Sequence, residues 1–301
     1  MFRPFLISTL TILIALFGIS NAFAAPSTPQ PYVQVKWFGG ATMAISFNDL
    51  TILTDPTFGD GLHAFTMGDP NEMFDLNVGP TVKTFARLSP FPGARPTDYD
   101  VVLLSHAHED HFDQTAQAQI PETKPFITPQ SDREKVFAMG FAKVKGLAWH
   151  ESYSFNAGAG RVTITALKAH HTHNRQLDPI LGVGNGYWLE FSQGDWRRTL
   201  YWTGDSFPTP DVVQSLKDLG KPDILIPNMG GVGTSGPLGK ISMGADDVIE
   251  LAGQVSPRKI LPIHHSTYRL YLEPISRFVV QSAGQPYDLD LVSPGTTVMY
   301  D

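Results

Sequence analysis

A run of four apolar residues, VVLL, leads directly into the polar sequence SHAHEDH at positions 105–111. A short apolar run predicts a buried strand, so the polar sequence is expected to form the loop at the carboxyl end of that strand. His106 and His108 are two residues apart and point to the same side of an extended chain. Asp110 and His111 come where a helix should begin, so their side chains can point in a different direction from those of His106 and His108.

The residue types in this loop indicate a metal site. Imidazole and carboxylate groups are the ligands that zinc and related divalent ions prefer when no thiolate is at hand. The chain contains no cysteine, so these are the ligands that it has. A solvated polar loop is the alternative, but three histidines in a fixed pattern with an aspartate favour metal binding.

Three later segments of strand character also end in side chains that can bind metal. Val162–Leu167 leads to His170, Thr199–Trp202 leads to Asp205, and Lys259–Ile263 leads to His264. If these strands belong to sheets that share one edge, all the candidate ligands gather there.

The pattern His-x-His-x-Asp-His, followed by these three sites in this order, resembles that of the metallo-β-lactamase superfamily. The resemblance covers nearly the whole mature chain. Trp37–Thr42 and Ile52–Phe58 resemble the opening hairpin of one branch, which includes N-acyl-phosphatidylethanolamine-hydrolysing phospholipase D and ascorbate-phosphate lactonase-like proteins. The implied fold is α/β, a four-layer αβ/βα sandwich of two mixed β-sheets flanked by helices.

The resemblance also implies a site with two divalent ions, zinc in the first place, although manganese or iron suits the same ligands. The implied ligands are His106, His108 and His170 for the first ion, Asp110, His111 and His264 for the second, and Asp205 as the bridge. Two such ions can share a hydroxide that acts as the nucleophile. Asp110, Asp205 and His264 are the expected catalytic residues.

Neighbouring residues leave some positions open. His170 is preferred because it follows its strand directly, but His171 points to the other side of an extended chain and stays an alternative. His264 is preferred to His265 by its spacing from the strand, and His265 is then a candidate for lining the pocket. Asp55 is expected to hold a ligand imidazole from behind, and the alternative is a turn aspartate before proline.

Helices are expected at 112–119, 131–139, 210–219, 243–254 and 271–282. The glycine-rich segment 228–236 follows a predicted strand, and its amides could hold an anion. A flexible loop near the site is the favoured interpretation of that segment, because its spacing does not match a phosphate-binding loop.

Residues 1–24 have the features of a signal peptide, namely a basic residue, an apolar stretch and an Ala-Phe-Ala cleavage site. We expect a flexible lead-in at 25–31 and one hydrolase domain at 32–301. Export to a bacterial periplasm is the simplest destination. A permanent membrane anchor is not expected, because the apolar stretch is short for a membrane span.

Residues 56–96 have weak periodicity but carry five phenylalanines, and this aromatic content argues against disorder. We expect this segment to cover the metal site and to line the substrate pocket. A hydrophobic cluster with no role in substrate binding is the alternative.

The formal net charge is −7 and no basic run occurs, which excludes a nucleic-acid-binding protein. The sequence therefore predicts an exported binuclear hydrolase that acts on a small-molecule or lipid-like substrate. A phosphodiester or phospholipid-like ester is the first choice, and a lactone or a β-lactam is the second. A metal-binding or degenerate scaffold protein is the alternative outside the enzymes, and the intact set of seven ligands argues against it.

Overall fold

Strands make up most of the regular structure in the computed structural model, which describes residue 1 and residues 30–301. The expected signal peptide and its cleavage site lie outside these residues. In chain order the strands are β1 (Val33–Gly39), β2 (Thr42–Phe47), β3 (Leu50–Thr54), β4 (Phe65–Gly68), β5 (Val82–Phe85), β6 (Val101–Leu103), β7 (Pro125–Pro129), β8 (Lys143–Leu147), β9 (Ser152–Ala157), β10 (Gly160–Ala169), β11 (Gly184–Gln193), β12 (Trp196–Trp202), β13 (Ile224–Ile226), β14 (Lys259–Ile260), β15 (Asp288–Leu289) and β16 (Thr297–Tyr300). The α-helices are α1 (Gln114–Gln119), α2 (Arg133–Ala138), α3 (Asp178–Leu181), α4 (Pro210–Leu219), α5 (Ala245–Val255) and α6 (Ile275–Ser282).

The strands form two seven-stranded sheets of mixed direction and one hairpin. The first sheet has the order β16-β1-β2-β3-β6-β7-β8, and the second has the order β15-β14-β13-β12-β11-β10-β9. In each sheet, antiparallel strands on one side give way to parallel strands on the other, at the β3–β6 pair and at the β12–β13 pair. The hairpin consists of β4 and β5.

Apolar side chains fill three layers around these sheets. The central layer lies between the sheets and includes Trp37, Ile45, Leu189 and Trp202. A second layer packs α4, α5 and α6 against the outer face of the second sheet, and a third packs α1 and α2 against the outer face of the first. The four-layer αβ/βα sandwich expected from the sequence is therefore confirmed.

The segment 56–96 is ordered around its aromatic residues. Phe65 and Phe85 stack across the β4–β5 hairpin at 5.3 Å between ring centroids, and Phe65 meets the edge of Tyr268 at 5.0 Å. These residues share a fourth apolar cluster with Leu238 and Ile241. The aromatic residues thus hold a long connection against the loops of the second half of the chain, and the expected role in lining the pocket stays a prediction.

Some elements differ from the predicted ones. The last helix begins at Ile275 rather than at position 271, because Tyr271 to Pro274 form a turn whose amides at Leu272 and Glu273 both donate to the carbonyl of Gly230 at 2.9 Å. The strands β8, β9, β15 and β16, which lie at or next to the sheet edges, were not predicted from the sequence. Among residues 30–301, no helix combines the length and apolar character needed to cross a membrane.

Candidate metal centre

The candidate ligands follow strand ends of both sheets and gather at one edge of the sandwich. From the first sheet, Asp55 follows β3, and the 105–111 loop follows β6. From the second sheet, His171 follows β10, Asp205 follows β12, and His264 follows β14. Because parallel neighbours end at the same edge, residues far apart in sequence meet there.

One group consists of three imidazoles. His106, His108 and His171 each offer a nitrogen, and these nitrogens lie within 4.8 Å of one another. The ring centroid of His106 lies 4.5 Å from that of His108 and 4.5 Å from that of His171. Nε2 of His106 and Nδ1 of His171 are buried and have no hydrogen-bond partner within the described chain.

A second group consists of Asp110, His111 and His264, whose ligand atoms also lie within 4.8 Å of one another. Oδ2 of Asp110 lies 3.7 Å from Nε2 of His111 and 3.6 Å from Nε2 of His264. Both of these ring nitrogens are buried without a partner in the described residues. The two groups adjoin, since the ring centroids of His106 and His111 are 4.0 Å apart.

Asp205 lies beside the second group. Its Oδ2 lies 3.5 Å from Nε2 of His111, and its Oδ1 lies 4.0 Å from Nε2 of His264. Burial alone would raise the pKa of Asp205, but His264, His111 and also His171 hold it well below its usual range. The Asp205 carboxylate therefore lies beside two imidazoles of the second group, and one of them, His111, adjoins His106 of the first group.

The structure brings His171, the alternative, to the cluster in place of the preferred His170. His170 turns away from the cluster, and its Nε2 lies 3.2 Å from Oδ2 of Asp211 on α4. The alternation of sides holds only while the chain stays extended. β10 ends at Ala169 and the chain then bends, which brings His171 rather than His170 to the site.

Asp55 lies behind the ligands, as the sequence places it. Its Oδ2 accepts from Nδ1 of His111 at 2.6 Å and from Oγ of Ser105 at 2.5 Å, and its Oδ1 accepts from the amide of Ser105 at 2.7 Å. Because the Ser105 hydroxyl donates its proton to Asp55, the Ser105 Oγ atom can accept a hydrogen bond from Nδ1 of His106 at 3.0 Å. One carboxylate thus keeps the protons of two imidazoles on Nδ1 and leaves both Nε2 lone pairs facing the site.

The glycine-rich loop after β13 positions His264 and Asp205. The carbonyl of Met229 accepts from Nδ1 of His264 at 2.7 Å, and the side-chain Nδ2 of Asn228 donates to Oδ1 of Asp205 at 2.9 Å. His264 has a positive φ of 60°. The hydrogen bond that its backbone amide donates to the carbonyl of Gly40 at 2.9 Å stabilises this conformation. Sequence reasoning missed the roles of Asn228 and Met229, although their position after a predicted strand was a usable signal.

Charges within the cluster are coupled. Burial, together with His111, holds the pKa of His106 well below its ordinary value, and burial lowers that of His108 to about 3. Burial would also lower the pKa of His111, but the carboxylates of Asp205, Asp110 and Asp55 outweigh it and raise that pKa well above the ordinary value. The neutral imidazoles of His106 and His108 and the ionised carboxylates of Asp110 and Asp205 form a donor set that fits divalent cations, and His111 would join it by releasing its Nε2 proton.

Tyr271 is a neighbour of the cluster that sequence reasoning also missed. Its ring lies against that of His264, at 4.6 Å between centroids. Burial raises the pKa of Tyr271 well above its ordinary value, and the nearby Tyr268, Asp110 and Asp205 add to the rise. No pattern in the sequence marks this residue, because it lies in the turn before α6.

Other histidines lie outside the cluster. Nε2 of His265 faces the Pro262 carbonyl at 3.2 Å and its ring packs on Trp37, so it does not line the site as the sequence suggested. His173 is exposed, and its Nε2 lies 3.9 Å from a carboxylate oxygen of Asp247 on α5. Their surroundings explain both residues without a metal.

Comparison with known proteins agrees with this geometry. The model of the β-lactamase superfamily domain matches residues 51–265, which contain all the candidate ligands. The chain belongs to the metallo-β-lactamase superfamily. It is a metal-dependent hydrolase of this superfamily, so the family and the enzyme class expected from the sequence are confirmed.

Individual relatives are distant. A metal-dependent hydrolase of Salinibacter ruber is 24% identical over 238 residues, which cover 78% of this chain and 86% of the relative. The N-acyl-phosphatidylethanolamine-hydrolyzing phospholipase D 1 of Caenorhabditis elegans is 25% identical over 277 residues, which cover 87% of this chain and 73% of the relative. The solved structure of isothiocyanate hydrolase from Delia radicum gut bacteria superposes with a TM-score of 0.69 at 22% identity and covers 88% of this chain and 98% of that chain. At this identity the structural likeness supports the fold alone.

Proposed function

We propose that this superfamily member is a binuclear hydrolase that acts on a phosphodiester or phospholipid-like ester. The observation that carries the proposal is that two sets of three ligand atoms adjoin, with the rings of His106 and His111 4.0 Å apart, and that the Asp205 carboxylate lies 3.5 Å from Nε2 of His111. A single ion would need only one of these groups. Two groups joined by a shared carboxylate are the arrangement that a pair of ions requires.

Each group in the site has a role in this proposal. His106, His108 and His171 hold the first ion, and Asp110, His111 and His264 hold the second, with Asp205 between them. Two divalent ions bound there would polarise the substrate oxygen and activate a water. Asp110 lies within 3.6–3.7 Å of two ligand imidazoles, so its second oxygen is available to orient the attacking water.

The substrate class rests on two supporting observations. The relative from Caenorhabditis elegans is named for the hydrolysis of a phospholipid, a phosphodiester with apolar chains. The segment 56–96 packs buried aromatic residues around Tyr268, four residues after His264, and in this proposal the segment lines the substrate pocket. A lactone, a β-lactam and an isothiocyanate are competing substrates that the assay has to include.

The test combines metal analysis with turnover of an aryl phosphodiester, an aryl lactone, nitrocefin and an aryl isothiocyanate. The purified protein should hold about two equivalents of zinc or manganese. Phosphodiester turnover and this metal content should both fall in His108→Ala, whereas His150→Asn is the control, because His150 is exposed and lies outside the cluster. Turnover of only one of the other substrates would replace the substrate class, and a protein that binds one ion or none at saturation would refute the binuclear site.

Export is part of the same proposal. The amino-terminal features of the sequence support it, with cleavage before Ala25. Expression of the full chain in a Gram-negative host, followed by mass spectrometry of the periplasmic fraction, tests it. A protein found only in the cytoplasm with residues 1–24 intact would contradict it.

A further inference from the structure

The ring of Tyr271 packs on the candidate ligand His264, and no group in the described chain forms a hydrogen bond with the Tyr271 hydroxyl. The hydroxyl is buried and has no hydrogen-bond partner there. The neighbouring Tyr268 is different, because its hydroxyl accepts from Arg87 at 3.0 Å and donates to Thr57 at 2.9 Å. Buried polar groups in proteins nearly always have a partner, so an orphan beside a reactive centre calls for a functional explanation.

The surroundings of Tyr271 show where this hydroxyl lies. A Cβ atom built on Gly40 would be 3.4 Å from it, and the carbonyl of Gly40 is the acceptor for the His264 amide. Thr57 is close to the same point, but its hydroxyl is already engaged with Thr42 at 2.8 Å and with Tyr268. The Tyr271 ring therefore lies beside a candidate ligand, and its hydroxyl, near Gly40, has no acceptor among the described residues.

The fold keeps Tyr271 in this position through a glycine. Gly230 has a φ of 112°, and a Cβ there would lie 2.9 Å from Cδ1 of Tyr271 and 2.8 Å from the His264 carbonyl. The Gly230 carbonyl also accepts from the amides of Leu272 and Glu273, directly after the tyrosine. One function of the glycine-rich loop is thus to let the Tyr271 ring pack against His264, at an interplanar angle of 49°.

We propose that Tyr271 donates a hydrogen bond to an oxygen of the reacting group of the substrate, a phosphoryl oxygen or another developing oxyanion, at the second metal position. This inference rests on the proposed hydrolase function. A preorganised donor aimed at developing charge acts mainly in the transition state, so its removal should reduce kcat more than it raises KM.

The test uses Tyr271→Phe, which removes the hydroxyl and keeps the ring that packs on His264. Zinc-loaded protein is titrated with inorganic phosphate by calorimetry, and kcat and KM are measured for the aryl phosphodiester. We expect phosphate affinity to fall about tenfold and kcat about 10–100-fold, with metal content and Tm unchanged. Tyr201→Phe is the matched control, because the Tyr201 hydroxyl is also buried without a partner but lies in the apolar layer under α4.

Each outcome decides the proposal. Unchanged phosphate affinity and kcat in Tyr271→Phe would overturn it, and so would a loss of metal or of Tm, because the hydroxyl would then be structural. A wild-type protein that binds no phosphate would overturn it as well. If the wild type binds phosphate but turns over no substrate, the hydrolase proposal fails while the phosphate titration still decides the role of Tyr271.

Discussion

Substitution of Asp55 by asparagine tests how the buried carboxylate controls the metal centre. Asp55 accepts three hydrogen bonds, from the amide and hydroxyl of Ser105 and from Nδ1 of His111. Its φ is 31°, a conformation that asparagine tolerates as well as aspartate does. The variant therefore removes the charge and one acceptor without a new demand on the backbone.

The size of the effect follows from these bonds. The asparagine oxygen can keep the Ser105 amide, but its NH2 group faces the Ser105 hydroxyl and His111. Loss of one charge-assisted bond and one neutral bond should lower the free energy of unfolding by about 2–4 kcal/mol. The amide also favours the His111 tautomer with its proton on Nε2, which removes the lone pair facing the site, so metal affinity should fall about 10–100-fold.

Urea unfolding of the metal-free protein measures the first effect, and zinc competition against a chromophoric chelator measures the second. Asp100→Asn is the matched control. Asp100 also accepts from the backbone of β3, at 2.7 Å from the Thr51 amide, but it is exposed. The control should lose about 1 kcal/mol or less and keep its zinc affinity. An Asp55→Asn protein whose stability changes by less than about 0.5 kcal/mol and whose zinc affinity is unchanged would refute the reasoning.

Three other substitutions give separate tests. His171→Ala should lower zinc affinity at one of the two positions about 10-fold or more, whereas His170→Ala should keep both ions bound and lower only the Tm; equal zinc loss in both variants would contradict the placement. Burial lowers the pKa of His265 to about 4, so between pH 6.5 and 4 the unfolded chain binds a proton that the folded chain does not. The metal-free protein should therefore lose up to about 3 kcal/mol of stability as the pH falls through this window, and His265→Gln should flatten the loss; parallel pH profiles by urea unfolding would count against it. Gly230→Ala should cost about 2–3 kcal/mol in the same assay, because φ there excludes a side chain without strain; a neutral result would show that the loop adapts.

The fold could be predicted in outline because its central strands carry apolar runs that end in polar residues. Such runs preceded the 105–111 loop, Asp205 and His264, and each of them forms a strand that ends at the site. Edge strands could not be predicted in this way. β16 becomes a strand only by pairing with β1, as in the register of Val33 with Tyr300, and a contact across the whole chain leaves no local pattern.

For the site, the sequence indicates which loops meet but not every side chain that reaches the cluster. The loops that follow β6, β12 and β14 bring their candidate ligands to one edge, as the sequence predicts, because the strands fix where these loops emerge. The choice between His170 and His171 could not be predicted, because it depends on how the chain bends after β10. Tyr271 lies in a turn whose course is set by backbone hydrogen bonds to Gly230, and side-chain patterns do not record those bonds.

The electrostatics of the cluster explain why its residues need one another. The pKa values of Asp110 and Asp205 are held below their usual range beside His111, whose pKa is raised, whereas burial raises the pKa of Asp55. The nearby His106 and His108 stay neutral, because burial disfavours further positive charge on them. The protein groups alone thus leave an excess of buried negative charge, which costs free energy unless cations offset it. Since the ligands come from both sheets, ions that balance this charge would also join the two halves of the sandwich, so metal binding and folding should be thermodynamically linked.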